Sequence, residues 1–200
     1  RPGVSEQEIA QEITIQMIRR GSNIESEFAA IIASGPNSAN PHHTPSDRKI
    51  EQGDAIVIDW GARYNGYYSD LTRTVHIGTP DEEFKTVYNL VAQANAAGRA
   101  VGKAGFPAGD VDKATRAVIE TGGYGAYFTH RTGHGLGLEV HEPAYIFAEN
   151  RQPLEAGITH TVEPGIYLPG KFGVRIEDDV LVTENGCETL SSYSRDLIIL

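Results

Sequence analysis

Apolar residues recur along this chain in two rhythms. Ile9, Ile13 and Met17 share one side of a helix, with Ser5 and Glu8 forming a capping box before it and Gly21 ending it. FAAIIAS (28–34) then reads as a short buried strand. AIVIDWGA (55–62) and YYSDLTRTVHIG (67–78) read as two strands joined through Asn65-Gly66, a strong hairpin signal. Helical spacing returns where Thr79-Pro80 and Glu82 open a segment running to about Lys103, with Phe84, Val87, Leu90, Val91 and Ala94 as its stripe. A further amphipathic helix covers 110–121 and stops at Gly122-Gly123. ITHTVEPGIYL (158–168) is strand-like, and FGVRIEDDVLVTENGCETL (172–190) is a second hairpin turning at Asn185-Gly186. SGPNSANPHHTPS (34–46) and the glycine-broken THRTGHGLGLEVH (129–141) are loops or irregular strand. The predicted class is α+β, antiparallel hairpins with helices packed on them. Each half carries a strand, an acid and an Asn-Gly turn, which suggests a duplicated unit.

The first hairpin raises a question of charge. With a two-residue turn at Asn65-Gly66, Tyr64 faces Tyr67, Asp59 faces Thr72 and Gly61 faces Asp70. Asp59 and Asp70 then share one face as diagonal neighbours, about 7–8 Å apart. Ile56, Val57 and Ile58 make this strand apolar on both faces, so it is covered. Unpaired carboxylates there would cost several kcal/mol each. Either they are surface or salt-bridged acids, or cations compensate them; divalent metals about 3.5–4 Å apart would suit that spacing.

Composition narrows the choice. Seventeen Lys and Arg against 27 Asp and Glu leave a net charge of −10, which argues against nucleic-acid or acidic-membrane partners. One cysteine, Cys187, excludes an internal disulfide and any multi-thiolate zinc site, and fits a reducing, cytoplasmic compartment. Two hundred residues at 40% apolar content suffice for one sizeable core or two halves sharing one. The chain begins at Arg1, which reads as a piece of a longer protein.

Candidate partners for the aspartates lie in the second half. His130, His134 and His141 crowd a segment whose glycines at 133, 135 and 137 would let backbone approach a metal or substrate. A surface or core role for these histidines is the plainer alternative. Glu163 ends the ITHTV strand, where a side chain can face a cleft. Glu177 sits in a β-forming run, with Asp178 and Asp179 read as exposed-face acids. Arg175 shares the face of Glu177 and would pair with it or hold a substrate carboxylate. His42, in Pro41-His42-His43, lies on the loop leading to the first hairpin.

Taken in order, ASGPNSANPHH, VIDWGARYNGYYSDLTRT, HRTGHGLGLEVHEP, TVEPGIYLPG and VRIEDDVLVT resemble the metallopeptidases of the pita-bread fold, the group of aminopeptidase P, prolidase, methionine aminopeptidase and creatinase. The resemblance implies two pseudo-symmetric αβ halves around a dinuclear metal centre, forming one catalytic domain over residues 1–200. It also implies a further helix and an N-terminal domain before Arg1. Carried over by position, the metal ligands would be Asp59, Asp70, His134, Glu163 and Glu177. His42, His130, His141 and Arg175 would bind substrate, and His43 matches nothing essential. The hard donor set favours two manganese ions, with cobalt, iron or zinc as alternatives. PNSANPHH and HRTGHGLGLEVHEP are similar to the aminopeptidase P and Xaa-Pro dipeptidase branch. That implies hydrolysis of peptides with proline at the second position, with Glu163 moving a proton, His141 or His42 polarising the carbonyl, and room for a homo-oligomer. Another hydrolase on this scaffold, such as a methionine aminopeptidase, or a non-catalytic peptide binder are the competing readings.

Overall fold

The computed structural model of the chain describes residues 1–23 and 29–200. Ser5 opens α1 (Glu6–Arg19) as the capping box requires: its hydroxyl accepts the Glu8 amide, and the Glu8 carboxylate accepts the Ser5 amide at 2.7 Å. The chain continues through β1 (Ile31–Ser34), a 3₁₀ turn (Gly35–Ala39), β2 (Ala55–Trp60), β3 (Arg63–Tyr64), β4 (Tyr67–Tyr68) and β5 (Leu71–His76). Two helices follow, α2 (Glu82–Val101) and α3 (Ala108–Thr121). The second half then lays down β6 (Gly133–Gly135), β7 (Glu142–Ile146), β8 (Thr159–Val162), β9 (Gly165–Leu168), β10 (Phe172–Arg175), β11 (Asp178–Val182), β12 (Cys187–Thr189) and β13 (Ile198–Ile199).

Beside two-stranded ladders of β3-β4 and β9-β10, each half contributes one larger sheet. The first runs in the order β1-β2-β5-β13 and is antiparallel except for β13, which lies parallel to β5. Ile9, Ala10 and Ile13 of α1 pack on its Ile32, Ile56 and Val75. The second runs in the order β12-β11-β8-β6-β7, and Ala108 and Val111 of α3 pack with its Ala144, Ile146, Val162 and Val180. Between them α2 buries Phe84, Val87, Val91 and Ala94 against Ile166, Leu168, Val174 and Ile176, the last following β10. The amphipathic stripe read from the sequence therefore makes the central core. No helix among the described residues is long and apolar enough to cross a membrane.

The end of β10 and the residues after it tie the halves together. Thr74 of β5 accepts the Arg175 amide at 3.0 Å and donates to the Arg175 carbonyl at 2.9 Å, and the Glu177 amide donates to the Thr72 carbonyl at 3.1 Å. This seam sets the acids of both halves side by side.

The hairpin register is as expected, with Tyr64 opposite Tyr67 and Asp59 opposite Thr72. Asn65 at φ 50° and Gly66 at φ 90° supply the two left-handed residues that a two-residue type I′ turn needs. The ladder breaks between the two pieces, where the Asp70 amide turns away to the Asp179 carboxylate at 3.1 Å. Other expectations need correction. The α2 cap is Asp81, not Thr79, its carboxylate accepting the Phe84 amide at 2.7 Å. The first-half strand starts at Ile31, Ala29 and Ala30 lie outside it, and Phe28 lies outside the described residues. β7 and β13 were not expected; β7 follows a glycine-rich run that masks its period, and β13 is two residues long.

Candidate metal centre

Asp59 is the fifth residue of β2, between β1 and β5, and its side chain turns into the molecule. Asp70 stands at the ladder break before β5. Glu163 follows β8 directly, Glu177 joins β10 to β11, and His134 is the middle residue of β6. These positions converge. A cavity of about 660 Å³ at the seam is lined by Asp59, Asp70, His134, Glu163 and Glu177, together with His42, His130, His141 and Arg175. Every site residue singled out in the sequence thus faces one space.

The donor geometry is that of a cation site. Ligand atoms of Asp70, His134 and Glu177 lie within 4.8 Å of one another, all three residues buried. His134 Nδ1 lies 3.0 Å from the Gly135 carbonyl, so this nitrogen carries the proton and Nε2 is left with its lone pair. That lone pair lies 3.4 Å from Glu163 Oε1 and 3.7 Å from Asp70 Oδ2, two more electron-rich atoms. Asp59 Oδ1 and Asp70 Oδ1 are buried without a hydrogen-bond partner among the described residues. Such an arrangement repels itself unless positive charge fills it, so these residues fit a divalent cation centre.

The titration behaviour follows from the crowding. Burial, then the Glu177 and Asp59 carboxylates, hold Asp70 well above the ordinary aspartate range. Glu177 is raised for the same reasons, burial first and then Glu163 and Asp59. Burial lifts Glu163 to about 7, with Arg175 opposing and Asp59 reinforcing the rise. Burial lowers His134 to about 4 and keeps the imidazole neutral, as a ligand must be.

Around the acids runs a relay centred on Arg175. Its Nη2 is 2.6 Å from Asp59 Oδ2, its Nε donates to Thr72 Oγ1 at 3.2 Å, and its Nη1 donates to the Pro41 carbonyl at 3.2 Å and to Tyr167 Oη at 3.0 Å. Thr72 in turn donates its hydroxyl hydrogen bond to Glu177 Oε2 at 2.5 Å. Tyr167 stands 2.8 Å from His130 Nε2, and His130 Nδ1 is 2.7 Å from the Arg131 carbonyl. His130 therefore accepts from Tyr167, and burial holds its pKa down at about 3. The expected pairing of Arg175 with Glu177 is replaced by Asp59, because Thr72 lies between Arg175 and Glu177.

Three readings of the segment change. Asp178 and Asp179 are buried, not exposed. Asp178 holds Arg73 at 2.8 Å and Arg195 at 2.7 Å, and Asp179 holds the Asp70 amide. Gly133 and Gly135 serve backbone packing: a Cβ would run into the Thr161 carbonyl at the first and the Pro143 carbonyl at the second. His43, assigned no role, lies 2.8 Å from Glu6. The sequence also gave no reason to single out Thr72, Tyr167 or Arg131. Arg131 lines the cavity, its guanidinium resting 4.7 Å from the Tyr145 ring centre, with no acid partner among the described residues.

Known proteins agree with this geometry. The description of metallopeptidase family M24 matches residues 1–184. An uncharacterised peptidase of Bacillus subtilis is 46% identical over 200 residues, covering 100% of this chain and 56% of that protein. Among solved structures, an Xaa-Pro dipeptidase from Bacillus anthracis superposes with a TM-score of 0.97 at 46% identity, and an X-Pro aminopeptidase from Thermotoga maritima with 0.96 at 45%; each match covers 100% of this chain and 56% of the other. The chain spans little more than half the length of these relatives. A match over nearly its whole length, on a fold whose acids and histidine meet at one seam, places the chain in metallopeptidase family M24.

Proposed function

We propose that this chain is the catalytic part of a dinuclear-metal-dependent peptidase that cleaves the bond before proline. One observation carries the reading: a neutral histidine aims its bare Nε2 at two carboxylates in a cavity with orphaned acid oxygens. Asp59, Asp70, His134, Glu163 and Glu177 would hold the ions, manganese for preference because four of the five donors are carboxylates. Bound there, divalent cations supply Lewis acidity toward a peptide carbonyl and acidify water.

The chain's own groups do the rest. Glu163, directly after β8 and facing the cavity beside His134, is placed to take a proton from the attacking water and hand it to the leaving nitrogen. For an Xaa-Pro bond that nitrogen is a secondary amine which must be protonated to depart. His42 and His141, exposed at the cavity's rim, are placed to donate to the carbonyl oxygen as charge builds on it. His130 is held by Tyr167 and shapes the wall of the substrate site. Arg131 offers a cation to a substrate carboxylate. Relatives named as Xaa-Pro dipeptidase and X-Pro aminopeptidase support the proline preference. The acidic composition and single cysteine suit a cytoplasmic enzyme, and a homo-oligomer is compatible with this reading.

The test is metal analysis of the purified chain, then assays with Xaa-Pro dipeptides, longer Xaa-Pro peptides and Met-Ala peptides. Manganese-dependent turnover of the Xaa-Pro set is expected. Turnover of Met-Ala alone, or metal content near zero after manganese loading, overturns the proposal.

A further inference from the structure

Glu6 is the first residue of α1 and is fully buried, whereas the helix's apolar stripe begins three residues later at Ile9. Its carboxylate gathers donors from the whole loop after β1. Oε1 accepts the Ser34 amide at 2.8 Å, the Ser34 hydroxyl at 2.7 Å and the Asn37 side-chain amide at 3.1 Å. Oε2 accepts the Ser46 amide at 3.0 Å and hydroxyl at 2.7 Å, and lies 2.8 Å from His43 Nε2. Both ends and the middle of segment 34–46 are thus fastened to one side chain. From the cavity side, Arg175 holds the Pro41 carbonyl.

His42 stands between these two clamps. Its amide donates to Asn40 Oδ1 at 3.1 Å, but its imidazole is exposed and has no hydrogen bond among the described residues. Its place at the cavity is therefore set by the loop backbone. A neutral glutamine could not replace the carboxylate here, because its N–H₂ would face donors.

We propose that Glu6 is a positioning residue: through His43 and Ser46 it fixes the loop that presents His42 to the cavity. This rests on the reading of His42 as a substrate-contacting group. The loop's geometry, and with it the reacting distance at His42, is what the clamp controls, and small misplacements of such groups are costly.

A double-mutant cycle tests it. Glu6→Gln, or the gentler His43→Ala, is combined with His42→Ala, and kcat/KM for an Xaa-Pro peptide is measured beside thermal stability. Glu6→Gln is expected to lower kcat/KM about tenfold or more in the native background and less than about twofold with His42→Ala present. The melting temperature should fall equally in both. Glu6→Asp should recover part of the loss, and Asp81→Ala, which removes the α2 cap at a residue that does not line the cavity, should lower stability without touching kcat/KM. Equal activity losses in the two backgrounds overturn the proposal. If Glu6→Gln does not fold, His43→Ala decides by the same comparison. A second readout needs no turnover: the ring resonance of His42 in ¹³C-histidine-labelled protein should shift in Glu6→Gln and His43→Ala but not in Asp81→Ala. Should the native chain leave Xaa-Pro peptides intact, the functional reading falls and the His42 resonance alone decides; an unmoved resonance ends the proposal.

Discussion

The guanidinium of Arg175 closes on the carboxylate of Asp59 at 2.6 Å, with both side chains buried. One oxygen of Asp59 is thereby held by the protein, while the other, Oδ1, keeps its lone pairs free. The same arginine donates to Thr72, Tyr167 and Pro41, so it binds both halves of the molecule to the acid cluster.

Loss of this arginine should therefore be felt in stability before it is felt in chemistry. Arg175→Gln leaves Asp59 as an uncompensated buried charge and is expected to cost about 3–5 kcal/mol in urea unfolding with chelator present. Arg175→Lys keeps the charge but loses the planar fork, and about 1–3 kcal/mol is expected. Equal stability of Arg175→Gln and the native chain would refute the assignment.

Metal binding should depend steeply on pH, in a direction the site fixes. Asp70 and Glu177 are held well above the carboxylate range and Glu163 sits at about 7, so these groups keep protons at mildly acid pH. His134, at about 4, has already lost its proton and adds nothing. Cations must displace those protons, so affinity rises as pH climbs through about 7. Calorimetry in two buffers of different ionisation heat should show proton release on manganese binding at pH 6.5 that shrinks by pH 8.5. Release that grows with pH would contradict the site. Asp70→Asn should abolish turnover and lose manganese affinity, yet raise the melting temperature in chelator at pH 8, since a group whose pKa folding raises destabilises the fold once ionised.

The same carboxylates explain what could be read from sequence. That Asp59 and Asp70 share one buried space was legible because an aspartate in a doubly covered apolar strand, Asp59, conflicts with its neighbours, and the hairpin register brings Asp70 to the same face. The Asn65-Gly66 turn fixed their register, and α2 announced its core face by period. Asp178 and Asp179 were not legible. Two of their partners, Arg73 and the Asp70 amide, are more than a hundred residues away, and no local pattern separates a solvated acid from one paired across the fold. Glu6 and His43 failed for the same reason. The Arg175–Asp59 pairing also needed three dimensions, because alternation along β10 pointed to Glu177 and only the fold put Thr72 between them.

Asp178 anchors the end of the chain. It accepts from Arg73 at 2.8 Å, from Ser191 at 2.7 Å and from Arg195 at 2.7 and 2.8 Å, while Arg73 also donates to the Ser194 and Tyr193 carbonyls. Asp178→Ala strands the buried Arg73 charge, and about 3–5 kcal/mol of destabilisation is expected. Hydrogen exchange should rise first in residues 190–200. Uniform exchange across the chain would mean the acid supports the fold generally rather than this segment.

Arg131 bears on which peptides the proposed peptidase would favour. It lines the cavity beside the acids, packs on Tyr145 and has no acid partner among the described residues, whereas Arg175 is fully engaged. A cation left over in a site built of carboxylates has one natural counterpart, the free carboxylate of a short substrate. In an Xaa-Pro dipeptide that group lies one residue beyond the scissile bond; in a longer peptide the same place is a neutral amide. A charge-assisted hydrogen bond is worth about 1.5–3 kcal/mol. Arg131→Gln should therefore raise KM for the dipeptide about ten- to a hundredfold and leave kcat near its native value. KM for a tripeptide or a dipeptide amide should hardly move. Equal changes for all three substrates would show that Arg131 serves the fold of its loop and not the substrate's end, and an unchanged KM for the dipeptide would place the carboxylate elsewhere.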